Sequence, residues 1–279
     1  MTIFYLSKVK NMKNNLTKLV KKANAGDKQS LELVILEIND LIYNLSLKML
    51  LFPEDAKDAT QEILIKVITH LSTFHYQSQF TTWVYRIATN YLITYKGKKS
   101  KEFAMPFKEY AVLIDSGQSD TVSYAKNAGE LALLEEEVKV SCTQGLLLCL
   151  NSSDRLVYIL AEILEFSSKE GAAILTITPD NFRKKLSRSR QKIRNFLTNK
   201  CGLVNSENPC RCHKKIDFLT HQKVINPNNL RFAQFTKRSI DLVDQIGDLE
   251  KAIAIYRATP AIPAPETIMK TIKETILIT

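Results

Sequence analysis

The stretch SSKEGAAILTITPDNFRKKLSRSRQKIR, residues 167–194, constrains the chain more than any other part. A short helical piece from Ser168 to Leu175 ends near Thr176. Thr178-Pro179 then opens a second helix, with proline at the first helical position, where a missing N–H costs nothing. Phe182, Leu186, Ser189 and Ile193 fall at i, i+4, i+7 and i+11 and form one inward stripe. The other faces carry Arg183, Lys184, Lys185, Arg188, Arg190, Lys192 and Arg194, with no acid after Asp180. A solvated helix ordinarily mixes both signs. Two short helices with a one-sign face on the second are the pattern of a helix-turn-helix that meets duplex DNA.

The rest of the chain reads as all-α. Eight glycines and eight prolines in 279 residues leave room for long helices, and 3.6-residue periodicity outweighs alternation throughout. Helices are expected over 12–24, 30–51, 54–71 and 81–95. Leu33, Leu36, Leu41, Ile42, Leu45 and Met49 are the expected apolar side of the second, and Ala59, Ile63, Val67 and Leu71 of the third. Four segments follow: a helical domain over 1–100, a linker over 101–141, a second helical domain over 142–200, and a cysteine-bearing loop with a helical extension over 201–279. Within the extension, helices are expected over 240–257 and 266–278, separated by a proline hinge at 260–265.

Charge is distributed unevenly. The net charge is +10, yet residues 181–200 hold eight basic side chains and no acid, while residues 101–140 hold four basic against eight acidic. A concentrated basic patch attracts polyanions by releasing condensed counterions. The acidic linker cannot do that. No run of about eighteen uncharged apolar residues is present, and the first fifteen residues do not read as an export signal, so a cytoplasmic chain is expected. The four histidines are dispersed, no glycine-rich phosphate loop occurs, and no catalytic triad is implied, so the expectation is a non-enzyme without a cofactor.

A second constellation lies at 74–99. Phe74, His75, Tyr76, Phe80, Trp83, Tyr85, Tyr91 and Tyr95 crowd beside Arg86, Lys96, Lys98 and Lys99. Flat rings that stack bases, set among cations that hold phosphates, are the means of gripping a single strand. Trp83, Ile87 and Tyr91, at i, i+4 and i+8, fit an inward stripe equally well. Tyr85, Tyr95 and the loop aromatics are read as functional.

Gly26-Asp27, then DAKDATQEILIKVITHL at 55–71, then FTTWVYRIATN at 80–90, resembles the second conserved region of extracytoplasmic-function sigma factors. Residues 153–193 resemble their fourth region. The likeness spans about 15–200. It implies a specificity subunit of bacterial RNA polymerase. On that resemblance, Asp55, Asp58, Gln61, Glu62 and Lys66 dock on the clamp helices of the largest polymerase subunit. His75, Tyr76, Trp83, Tyr85, Arg86, Asn90, Tyr95 and Lys96 melt and hold the minus-ten element. Thr178, Pro179, Asn181, Arg183, Lys184 and Arg188 read the minus-thirty-five element. Core polymerase, promoter DNA and an anti-sigma factor are the implied partners, with no membrane insertion, and the linker would pass the RNA exit region. A stand-alone helix-turn-helix regulator is the rival, and it would have no use for the aromatic segment. Two departures touch the helix-turn-helix. Gly171 replaces a branched apolar residue, and Thr176 replaces the customary turn glycine, implying a different turn or mild strain.

Five cysteines, an odd number, argue against a disulfide scaffold. Cys201, Cys210, Cys212 and His213 could supply a tetrahedral zinc site, although Cys-x-Cys is tighter than the usual spacing. Redox sensing and incidental thiols are the alternatives, and no metal is assigned.

Overall fold

The computed structural model describes residues 16–95, 101, 104–233, 253, 257 and 261–274. Among these every regular element is a helix: α1 (16–24), α2 (Lys28–Leu50), α3 (Pro53–Thr69), α4 (Phe80–Thr94), α5 (Phe107–Asp115), α6 (Ala128–Leu147), α7 (Ser152–Tyr158), α8 (Ser168–Leu175), α9 (Pro179–Lys200), α10 (Ile216–His221) and α11 (Glu266–Ile272), with short 3-10 and π turns. The fold is all-α, as expected. The chain forms two compact units, one of residues 1–99, 169–179 and 262–279, the other of 100–168 and 180–261.

In the first unit, local chemistry sets the path. Gly26 takes φ +94, with its N–H on the Ala23 carbonyl, and closes α1. Such a backbone favours glycine, which has no Cβ to collide. Asp27 then caps α2, accepting from the Gln29 N–H at 3.1 Å and the Ser30 hydroxyl at 2.6 Å. The Ser30 bond, first among the causes, holds the Asp27 carboxyl below its ordinary pKa.

The inward side of α2 is Val34, Ile35, Ile38, Ile42, Leu45 and Met49, each at most 1% exposed. Leu33 and Leu36, expected on that side, are 43% and 48% exposed. The 34/35/38/42/45/49 ladder buries more branched side chain than one built on 33 and 36. On α3 the expected stripe holds: Ala59, Ile63, Val67 and Leu71 are all buried.

The second unit corrects the linker reading. Residues 101–141 contain α5 and much of α6. Asn127 caps α6 by accepting from the Glu130 N–H at 2.9 Å, while Glu130 accepts from the Lys126 N–H at 2.8 Å, a reciprocal pair of the capping-box type. Leu134, Val138, Val140, Leu146 and Leu147 are buried along with Glu136, Glu137, Ser141, Thr143 and Gln144. A helix enclosed on nearly every side shows no single apolar stripe, which is why its period was hidden.

The acids of this stretch are largely spent inside the unit. Glu136 pairs with Lys139 at 2.7 Å, Asp115 with Lys200 at 2.5 Å, Asp120 with Lys214 at 2.6 Å, and Glu135 faces His213 at 3.4 Å. Glu137, with no exposure, accepts from the N–H groups of Arg231, Phe232 and Ala233 at 2.8–3.0 Å. Beyond α6, the buried Arg155 donates to the carbonyls of Leu147, Leu148 and Leu150 at 2.8–3.0 Å. A cation at a helix C-terminus meets the negative end of its dipole. Burial brings the Arg155 pKa down to about 10.

The described part of the extension from 204 to 233 is folded. Ile216, Leu219, Val224 and Ile225 join Leu134 and Val138 in one core cluster. The helix expected over 240–257 lies outside the described residues except at positions 253 and 257. The last helix is described as Glu266–Ile272.

Between α8 and α9 the turn is made as the sequence required, without glycine. Thr176 adopts φ +55, and the Ile177 N–H bonds the Ala172 carbonyl at 3.0 Å. A β-branched residue in this left-handed region costs about 1–2 kcal/mol. Thr176→Gly is therefore expected to stabilise the protein by about 1 kcal/mol in denaturant titration.

Candidate functional surfaces

The first surface is the outer side of α3. Asp58, Glu62 and Lys66, at i, i+4 and i+8, are exposed, and Gln61 beside them is half-buried. Asp55 departs from the expectation: at 4% exposure its carboxylate is buried in the first turn of α3. That position suits the positive end of the helix dipole.

Two rings of α4 border this face. Tyr91 and Tyr95 stack at 5.3 Å between centroids, and the Lys66 ammonium lies 5.8 Å from the Tyr91 ring centre. Burial, then Asp55 and Asp58, pushes the Tyr95 hydroxyl up to about 12. Tyr91 is raised by burial first, then by Glu62 and Asp58. Both rings therefore stand in the field of the acids. Tyr95 thus borders the acidic face, and the cations expected around it, Lys96, Lys98 and Lys99, lie outside the described residues.

The second surface is the 72–79 loop with the outer face of α4. Phe74 and Phe80 are buried and support the others: ring centroids lie 4.7 Å apart for Phe74–Tyr76, 5.5 Å for Phe74–Trp83 and 5.6 Å for the stacked Phe80–Trp83 pair. Tyr76 is 40% exposed and takes φ +58. Its hydroxyl accepts from Asn24 at 3.2 Å, and Lys21 lies 5.5 Å from its ring centre. His75 and Asn90 are exposed, and Trp83 is half-buried.

Two residues of the expected set are not openly exposed on this surface. Tyr85 is 8% exposed and belongs to the core with Val84, Ala88 and Leu92. That core stripe replaces the alternative one through Trp83, Ile87 and Tyr91, all three of which are half-buried. Arg86 is half-buried and donates to the Ala173 carbonyl at 2.9 Å, so its guanidinium is engaged within the protein. Lys96 lies outside the described residues. On the wheel of α4, Trp83, Arg86 and Asn90 share the outward side.

The third surface is α9. Phe182, Leu186, Ser189 and Ile193 are buried as expected, and Leu197 continues the stripe. Thr178, Pro179, Asn181, Arg183, Lys184 and Arg188 are all exposed. Opposite the stripe, Asn181, Lys184, Arg188, Gln191 and Asn195 form one exposed polar face without an acid.

Ion pairing divides the cations of α9. Lys185 and Lys192 lie 3.2 and 4.0 Å from Asp154, Arg190 donates to the buried Glu162 at 2.8 Å, and Arg183 pairs with Asp180. Among the described residues no acid pairs with Lys184, Arg188 or Arg194. The flanks of the helix are neutralised. Its outward face remains cationic.

The cysteine loop assembles a different set from the expected one. Cys142 of α6, Cys201, Cys210 and Cys212 line one cavity of about 40 Å³ together with Tyr110, Leu146 and Phe196. His213 instead faces Glu135. Cys142 could not be foreseen as a member, because only the fold brings α6 beneath the loop. Among the described residues no three Cys, His, Asp or Glu side chains are placed to hold a metal ion. All five thiols are free.

Burial pushes the Cys142 thiol up to about 12, with the Tyr110 hydroxyl acting the other way. Cys212 is raised mainly by burial and then by Cys142 and Cys201. The reactive form of a thiol is its thiolate. In the folded protein at pH 8, Cys142 and Cys212 are therefore expected to react with a chromogenic disulfide reagent at least tenfold more slowly than after denaturation. Equal rates would show that the thiols are not sequestered.

The family Sigma-70 region 2 matches residues 35–102, the stretch that includes all of α3 and α4. An ECF RNA polymerase sigma factor, SigW of Bacillus subtilis (strain 168), is 28% identical over 190 residues, covering 67% of this chain and 98% of that protein. The RNA polymerase sigma-H factor of Pseudomonas aeruginosa is 25% identical over 179 residues, covering 63% and 90%. The ECF RNA polymerase sigma-E factor of Escherichia coli (strain K12) is 26% identical over 182 residues, covering 63% and 91%. Among solved structures, CnrH in complex with the cytosolic domain of CnrY is 17% identical and covers 64% of this chain and 94% of that one, with a TM-score of 0.42. No described helix is long and apolar enough to cross a membrane. The region 2 match falls on the helices of the acidic face and the aromatic loop, and each of these relatives is aligned over at least nine-tenths of its length; the chain carries a Sigma-70 region 2 and is similar to extracytoplasmic-function RNA polymerase sigma factors.

Proposed function

We propose that this chain binds core RNA polymerase through the acidic face of α3 and directs transcription initiation at promoters with two elements. In this reading Asp58, Glu62 and Lys66 meet the clamp helices of the largest subunit, and Tyr91 and Tyr95 extend that contact as its aromatic edge. His75, Tyr76, Trp83 and Asn90 engage the separated strand of the minus-ten element, with Phe74 and Phe80 as the buried floor beneath the rings. Asn181, Lys184 and Arg188 enter the major groove of the minus-thirty-five element, and Thr178, Pro179 and Arg183 lie at the entrance. An anti-sigma factor is the regulatory partner that the likeness to these sigma factors supports.

The observation that carries this reading is the outward cationic face of α9. A helix that neutralises its flanks with Asp154 and Glu162 yet leaves Lys184 and Arg188 without a described acid is organised to meet an external polyanion. Anisotropy titration of the holoenzyme with duplex upstream element tests it. Arg188→Ala is expected to weaken binding by about 1–3 kcal/mol if the guanidinium takes a guanine edge, and Lys184→Ala to lower the salt slope by about one. Unchanged affinity and slope in both variants would remove α9 as the reading helix.

A further inference from the structure

The C-terminal segment is seated on the first unit through contacts too specific for a trailing end. Asn44 of α2 meets the backbone of Ile262 with both ends of its amide. Its oxygen accepts from the Ile262 N–H at 2.8 Å, and its nitrogen donates to the Ile262 carbonyl at 2.9 Å. One helical turn away, the Asp40 carboxylate accepts from the Ala264 N–H at 2.9 Å. Pro263 and Pro265 restrict the backbone between these bonds to extended shapes. After Pro265 the chain turns into α11, which packs on α3. Ile268 and Ile272 of α11 have no exposure, and Lys273 closes the far end with an ion pair to Glu32.

The register is simple. Residues 262, 264 and 273 pair with 44, 40 and 32, so the segment runs antiparallel along three turns of α2. The ion pair between Lys273, just past α11, and Glu32 fixes the far end of this register. The remainder of the described extension, 204–233, belongs to the other unit.

We propose that residues 261–274 are a detachable ligand carried in cis, and that the α2–α3 surface beneath them is a docking site for a short extended strand followed by an apolar, lysine-bearing helix. The docked state is held by two polar clamps, two buried isoleucines and one ion pair, a set small enough to release as a unit. Release uncovers apolar seats on the same helix pair that carries Asp58 and Glu62. The extension thereby has a direct physical hold on the α2–α3 unit. The inference rests on these contacts alone and fails or survives independently of polymerase binding.

Cutting the folded full-length chain at a protease site placed between Arg257 and Ala261 tests it. The freed C-terminal piece is expected to co-elute with the rest during gel filtration at micromolar concentration, and a hundredfold excess of synthetic peptide 261–279 is expected to displace it. The same cut in the Ile268→Asp variant should release the piece without competitor, and amide exchange across 32–44 should speed up at least tenfold. Loss of the piece from the cut wild-type protein, or a piece that resists excess peptide, overturns the proposal. So does retention by Ile268→Asp equal to that of the wild type.

Discussion

Glu137→Ala is expected to lower the stability of the unit that contains it by about 4 kcal/mol. The carboxylate has no exposure and satisfies three consecutive backbone donors, those of Arg231, Phe232 and Ala233. Alanine would leave those N–H groups buried without acceptors, each at a cost of about 1–3 kcal/mol before relaxation. Glu137→Gln retains one acceptor oxygen and is expected to lose about half as much. Urea unfolding of both variants, with amide exchange at 231–233, separates this from a general packing defect: the exchange rates of 231–233 should rise first and most. A loss under 1 kcal/mol in Glu137→Ala would mean that the three amides find water, and that the carboxylate is incidental to the fold.

The largest functional effect is expected at α3. Asp58→Lys combined with Glu62→Lys reverses two exposed charges. Surface substitutions of this kind ordinarily change stability by about 0.5 kcal/mol or less. If the face meets a basic surface on core polymerase, the double reversal should weaken assembly by about 3 kcal/mol, more than a hundredfold. Competition against an unmodified sigma factor for a fixed amount of core enzyme measures this directly. Asp55→Asn in the same assay should act through folding, since Asp55 is buried.

The helix-turn-helix was the most legible part of the sequence, because one-sided burial and one-sided charge coincide there. Phe182, Leu186, Ser189 and Ile193 are buried where the spacing placed them, and Thr176 bears the strain implied by the missing glycine. Elements buried on most sides were harder to see. The α6 helix carries Glu136 and Glu137 inward, so an acidic stretch that reads as solvated linker becomes the spine of the second unit. Its acids are matched mostly by lysines and amides more than sixty residues away, pairings that no local pattern records. Burial also decided between rings: Tyr85 and Trp83 are two positions apart on α4, yet only the latter reaches the surface with the loop aromatics. The cysteine cavity shows the same limit, with Cys142 arriving from α6 and His213 turning away to Glu135.

The decisive measurement is strand opening by the reconstituted enzyme. Purified chain and core polymerase are mixed with promoter DNA, and unpaired thymines near the start site are detected by permanganate. The expected result is reactive thymines with the wild-type chain, severely reduced reactivity when Tyr76 and Trp83 are both replaced by alanine, and none with core polymerase alone. Binding of upstream duplex without any reactive thymine, or failure of the chain to co-elute with core polymerase, would contradict a role in promoter opening and leave a duplex-binding regulator in its place.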